Sequence, residues 1–187
     1  MASDTNLVWV DLEMTGLDPD RCTIVEIATI ITSPELEVVA EGPCLVIHQP
    51  DEVLDQMVEE VRDLHTRSGL LEQIRASSLS LAEAEQRTLA FVREHCREGK
   101  SPLCGNSIWK DRQFIEKYMV SFARFLHYRV VDVSSIKELA RRWYGERGKS
   151  PEKAEQHRAL DDIRESIAEL RWYREQLFVD AAALRSS

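Results

Sequence analysis

Apolar positions in the first third of the chain fall into runs of strand length, and beyond Asp51 they recur at helical spacing. The strand-like runs are residues 7–13, "TIVEIATIIT" and "EVVAEGPCLVIH", joined by the turn-rich "GLDPDR" and "TSPEL". Connections this short predict an antiparallel meander. The stretch "SLAEAEQRTLAFVREH" reads as a helix opened by Ser80 and Glu83 in capping-box spacing. Two short apolar runs, "PLCGN" and "YRVVDV", interrupt the helical region, and each precedes a helix, over about 109–122 and 135–144. That alternation is the rhythm of parallel strands. A polar loop over 145–153 leads to a last helix over about 155–178, with Leu160, Ile163, Ile167, Leu170 and Leu177 on its apolar stripe. The expected fold class is α/β: a mixed five-stranded sheet, antiparallel meander plus parallel strands, flanked by helices.

Length and composition narrow this picture. A chain of 187 residues is enough for one well-cored domain, read here as 1–187 with its core over about 7–178. A net charge of −9 argues against a protein that grips long nucleic acid through a broad basic surface, while leaving room for a short polyanion at one local site. The N-terminal "MASDTN" has no basic region and no apolar run of membrane-spanning length, so a cytoplasmic protein with no membrane partner is expected. Cys22, Cys44, Cys96 and Cys104 form no CxxC pair and no zinc-ligand spacing with the histidines, which predicts reduced thiols.

Candidate chemistry begins in "LVWVDLEMTG". Residues i and i+2 of a strand share a face about 7 Å apart, so Asp11 and Glu13 project together while Val10 and Leu12 face the other way. Two adjacent carboxylates repel unless a cation or a proton separates them. Two solvated acids at a strand end would fit the same pattern, and so would a phosphatase-like DxDxT motif, although its second acid is normally Asp. On the helix after "CGNS", at about 100° per residue, Asp111 falls on the face of Ile108, Ile115, Tyr118 and Phe122. A carboxylate on a core stripe needs a metal or another partner. In "HRALDDIRES", Asp162 flanks the apolar stripe and Asp161 faces outward, and His157 stands five residues before the inward acid. Two divalent cations about 4 Å apart need such bridging carboxylates, and a histidine with a pKa near 6.5 suits removal of a proton from water.

"VDLEMTGLD", "GNSIWKDRQF", "HYRVVDVSSIKELARRW" and "HRALDDIRESI" resemble the signatures of the DEDDh 3′-to-5′ exonucleases, a family of RNase H-like fold, over residues 7–173. Asp-x-Glu alone is weak, but the ordered set with Asn106, Asp111 and His-x4-Asp is specific. The resemblance implies metal binding by Asp11, Glu13, Asp111 and Asp162, a general-base role for His157, Mg²⁺ or Mn²⁺ as cofactors, and a homodimer. It further implies very short RNA as substrate, released as nucleoside 5′-monophosphates.

One position departs from the pattern: Glu60 stands where many members carry a tryptophan five residues before the histidine of "HTRSGL". Leu17, the apolar side of Val61, or His65 then has to confine the terminal base. At the other end of the substrate, Arg129 at a strand start and Ser134 at a helix start can face an anion, with Ser107 joining them. This placement matches the phosphate-binding cap that the resemblance implies for 5′-phosphorylated dinucleotides, where Tyr128 is expected to reach across the dimer to the partner's substrate. Two other readings stay open: a DEDDh exonuclease acting on longer RNA or DNA ends, and a catalytically silent binder of short nucleotides.

Overall fold

The computed structural model of the chain describes residues 2–151 and 158–179. Strands β1 (Leu7–Met14), β2 (Ile24–Thr32) and β3 (Val38–Val46) form the antiparallel meander. Three helices follow, α1 (Asp51–Leu54), α2 (Glu59–Arg67) and α3 (Leu70–Ala76), and then α4 (Leu81–His95). Ser80 caps α4 by accepting the Glu83 amide while the Glu83 carboxylate accepts the Ser80 amide. A cap of this kind stabilises by about 1 kcal/mol.

Strand β4 (Leu103–Gly105) pairs parallel to β1, and β5 (Val130–Asp132) pairs parallel to β4, giving the order β3-β2-β1-β4-β5. Between them lies a helical stretch read from sequence as one piece. It is two helices, α5 (Ile108–Tyr118) and α6 (Val120–Phe125), because Met119 leaves helical geometry with φ −130° and ψ 59°. Helix α7 (Val133–Tyr144) continues from β5, a single 3₁₀ turn covers Gly145–Gly148, and α8 (Ala159–Leu177) closes the described chain. The sequence-predicted start of this last helix, near 155, falls outside the described residues. The helix as described begins at Ala159, because Arg158 is extended at its N-cap.

Strand periodicity divides the packing into two layers. Val8, Val10 and Leu12 point into a core shared with Val92 of α4, Ile108 and Ile115 of α5 and Phe122 of α6. Trp9 points into the opposite core, with Ala140 of α7 and Ile163, Ile167 and Tyr173 of α8. Every position of β2 is buried, as a central strand covered on both faces requires. The alternation that sends Trp9 toward α8 sends Asp11 and Glu13 the same way. Both carboxylates therefore face α8 at the C-terminal end of β1. No helix among the described residues is long and apolar enough to cross a membrane.

Candidate active site

Carboxylate oxygens of Asp11, Glu13 and Asp162 lie within 4.8 Å of one another. Two come from β1 and the third from the first turn of α8. Asp161, one residue away, points out and pairs with Arg164 at 2.9 Å, so the helix phase separates the two acids as their pattern suggested. Asp111 reaches the same strand end from α5. It is buried, and its Oδ1 accepts the amide of Leu12, the residue between Asp11 and Glu13, at 3.0 Å.

Burial and mutual repulsion keep these groups from ionising easily. Asp11 is held well above the usual carboxylate range, first by burial and then by the charges of Asp111, Glu13 and Asp162. Glu13 is pushed up to about 8 by burial, then by Glu26, Asp162 and Asp111, against a smaller opposing effect of Arg158. Burial raises Asp111 to about 7, partly offset by the Leu12 amide. A cluster that repels its own charge and concentrates anionic oxygens fits hard divalent cations.

The sign of the consequence for stability is definite. A carboxyl with a raised folded-state pKa keeps a proton that the unfolded chain has released, so cation-free stability falls as pH climbs from 4.5, the ordinary value for Glu13, toward about 8. In EDTA the melting temperature is expected to drop by several degrees across that window. Saturating Mn²⁺ should flatten the slope, because a cation takes the deprotonated oxygens. Parallel slopes with and without Mn²⁺ in a thermal melt would show that these acids do not meet a cation.

The exonuclease family model of RNase T type matches residues 8–170. An oligoribonuclease of Marinobacter nauticus is 52% identical over 178 residues, covering 95% of this chain and 99% of that protein. One from Vibrio cholerae serotype O1 is 53% identical over 176 residues, covering 94% and 97%. The chain belongs to the oligoribonuclease family. Its fold is also that of exonuclease I from Methylocaldum szegediense, with TM-score 0.69, 20% identity and 92% of this chain covered. Exonuclease I of E. coli in complex with a 5cy-dT13 oligonucleotide gives TM-score 0.73 at 14% identity, with 94% of this chain covered. The chain spans 41% and 42% of the length of those two structures, which share its RNase H-like fold. As an oligoribonuclease-family member the protein is a nuclease of the hydrolase class, and its acidic cluster suits the divalent-metal use typical of such enzymes.

Other sequence-predicted residues of this oligoribonuclease-family chain divide into those the structure gathers and those it places elsewhere. Leu17 stands 67% exposed beside the acidic strand end, with its carbonyl accepting Lys110 Nζ at 3.1 Å. Glu60 is exposed on α2, and Val61 packs against the small core of Leu54, Leu70 and Ile74. His65 is only 1% exposed, so it presents no stacking face to a base. Its Nε2 meets the Met14 carbonyl at 2.9 Å, which requires the proton on that nitrogen. Its Nδ1 is left 3.9 Å from Glu13, too far for a hydrogen bond. Burial lowers its pKa, and a neutral ring makes this contact no ion pair. His157 lies outside the described residues.

Ser107 and Ser134 come together at the turn between β4 and α5. Ser107 takes a left-handed backbone, φ 50°, uncommon for a non-glycine residue and frequent at binding sites. The two hydroxyls are 3.2 Å apart, and Ser134 Oγ donates to Asn106 Oδ1 at 3.1 Å. The backbone donors expected to face an anion are turned inward: the amides of Ser107 and Ser134 both donate to Asp132 Oδ1, each at 3.0 Å. Asp132 is the N-cap of α7, a role that "VVDVSS" signals and that the sequence reading passed over. The Ser134 hydroxyl also accepts the Ser107 amide at 2.9 Å, so a phosphate at this turn would have to exchange with its internal partners, with the Ser107 hydroxyl the readiest donor. Arg129 is exposed and stacks on Tyr128, its guanidinium 5.3 Å from the ring centroid.

Sequence reasoning also missed Glu26 and Glu169. Glu26 sits in the apolar run "TIVEIATIIT" and carries the same signal that singled out Asp11 and Glu13, an acid inside a buried strand. Glu169 is buried on α8, where Asn106 Nδ2 donates to it at 3.2 Å and Ser150 Oγ at 3.0 Å. It thereby joins the Ser107–Ser134 turn to the loop after α7.

Proposed function

We propose that this chain is a 3′-to-5′ exoribonuclease that hydrolyses RNA of two or a few nucleotides to nucleoside 5′-monophosphates at a site for two divalent cations. The convergence of Asp11, Glu13 and Asp162, with Asp111 at the same strand end, is the observation that carries the reading. Asp11, Glu13, Asp111 and Asp162 would hold the cations, and Mg²⁺ or Mn²⁺ bound there would supply Lewis-acid stabilisation of the charge that develops in an in-line displacement. His157 takes a proton from the attacking water, whose oxygen bonds to phosphorus as the bond to the 3′ oxygen of the preceding nucleotide breaks. Solvent returns a proton to that oxygen. The products are a 5′-monophosphate and a chain one nucleotide shorter.

Leu17 supplies an exposed apolar side chain for the terminal base in place of the tryptophan that Glu60 replaces. His65 acts from behind, against Glu13 and the Met14 carbonyl. Arg129, Ser107 and Ser134 hold the 5′-phosphate of a dinucleotide. The protein works as a homodimer: Trp109 and Leu139 line one exposed depression, Trp143 continues it one turn along α7, and Tyr128 is 72% exposed. Several large apolar side chains left exposed in this way suit an interface. Tyr128 would then serve the partner's substrate. The reading is of one exonuclease domain over 1–187 acting in the cytoplasm.

Incubation with 5′-labelled RNAs of increasing length tests this reading. Dinucleotides are expected to be cleaved fastest, with Mg²⁺ or Mn²⁺ required and EDTA inhibitory. Faster trimming of long RNA than of dinucleotides would overturn it.

Arg129→Ala tests the phosphate end. A charged hydrogen bond contributes about 1.5–3 kcal/mol, so binding of a 5′-phosphorylated dinucleotide is expected to weaken by roughly 10- to 100-fold. The unphosphorylated dinucleotide should lose far less. Equal losses in a binding titration would show that Arg129 does not read the phosphate.

A further inference from the structure

Glu26 is fully buried near the start of β2, and the antiparallel register sets it directly opposite Glu13 on the same face of the sheet. Its Oε1 accepts Arg158 Nη2 at 2.9 Å and the Cys44 thiol at 3.4 Å, and its Oε2 accepts the amide of Ala159 at 3.3 Å. Glu26 is thus engaged with protein donors through both oxygens, whereas Glu13 beside it joins the acidic cluster. Arg158 Nη2 donates to Gln73 Oε1 as well, at 3.2 Å. The arginine is the N-cap of α8, and its carbonyl accepts the amides of Asp161 at 2.9 Å and Asp162 at 3.0 Å. The guanidinium grips β2 while the backbone of the same residue starts the helix that carries Asp162.

We infer that Glu26 and Arg158 are a positioning pair, which locks the first turn of α8 onto β2 so that Asp162 meets Asp11 and Glu13. Neither residue touches the reacting atoms. Both act through the acids, and the inference rests on the proposed cation site. A carboxylate buried beside the cluster could compete for the cation, and pairing with Arg158 holds Glu26 in place with both oxygens engaged and offsets part of its charge. Partners of metal ligands and of their supporting helices commonly alter metal affinity or activity by about 10- to 100-fold when removed.

The experiment compares Arg158→Met, Glu26→Gln with Arg158→Met, and Arg158→Lys. Arg158→Met alone strands a buried charge and should lower the melting temperature sharply. The double variant removes both charges and should regain most of that loss. Its kcat on a dinucleotide is nevertheless expected to stay about 10-fold or more below wild type with KM little changed, and its affinity for Mn²⁺ without substrate to fall by a similar factor. Arg158→Lys keeps the charge beside Glu26 and should lie closer to wild type in both readouts. Recovery of kcat and Mn²⁺ affinity together with melting temperature in the double variant would reduce the pair to a buried ion pair of structural use only. A lysine variant no better than the double one would equally overturn the inference. The Mn²⁺ titration uses no RNA, so a wild-type protein that binds Mn²⁺ but cleaves no dinucleotide would count against the proposed function and not against the pair.

Discussion

Asp162→Ala is expected to lower the hydrolysis of a dinucleotide by about 10³-fold or more, while Asp161→Ala stays close to wild type. Charge stabilisation at a metal site contributes several kcal/mol to the transition state, and about 4 kcal/mol corresponds to three orders of magnitude. Asp162 shares a 4.8 Å cluster with Asp11 and Glu13, whereas Asp161 is an outward partner of Arg164. Asp11→Ala, Glu13→Ala and Asp111→Ala should fall with Asp162→Ala. None of these changes should unfold the cation-free chain. Asp11 and Glu13 carry raised pKa values from burial and mutual repulsion, so removing Asp11, Glu13 or Asp162 relieves its neighbours, and the melting temperature in EDTA should hold or rise, whereas Asp111→Ala also takes the acceptor from the buried Leu12 amide and should lower it by a few degrees. Steady-state rates beside thermal melts check both halves. An inactive Asp161→Ala beside an active Asp162→Ala would reverse the assignment of the inward acid.

The second large effect is expected at His157. His157→Ala should reduce the rate by roughly 10²- to 10⁴-fold, the usual contribution of a general base. Substrate binding measured in Ca²⁺ should change much less, because the histidine acts on the water's proton and not on the nucleotide. A pH profile sharpens the test. The wild-type rate is expected to rise as the base loses its proton with increasing pH, and the variant should lose that inflection. Full activity of His157→Ala at neutral pH would assign the proton to another group.

Period and punctuation determined much of this protein before any tertiary contact was known. Strand alternation alone separated Asp11 and Glu13 from Val10 and Leu12. Short turns predicted the meander, Ser80 and Glu83 the start of α4, and helical phase both the buried Asp111 and the choice of Asp162 over Asp161. These features depend on neighbours within a few residues, so they are written locally. The divided helix at Met119, the inward-turned amides around Asp132 and the burial of His65 were decided only in three dimensions. Each depends on which distant group satisfies a polar atom, and no periodicity encodes that pairing. Glu26 shows the difference most clearly. Its sequence signal equals that of Glu13, but Arg158, 132 positions away, takes its charge and the cluster takes that of Glu13. One residue pattern thus has two chemical outcomes, because a buried carboxylate needs a counter-charge and only the folded chain determines which one it meets.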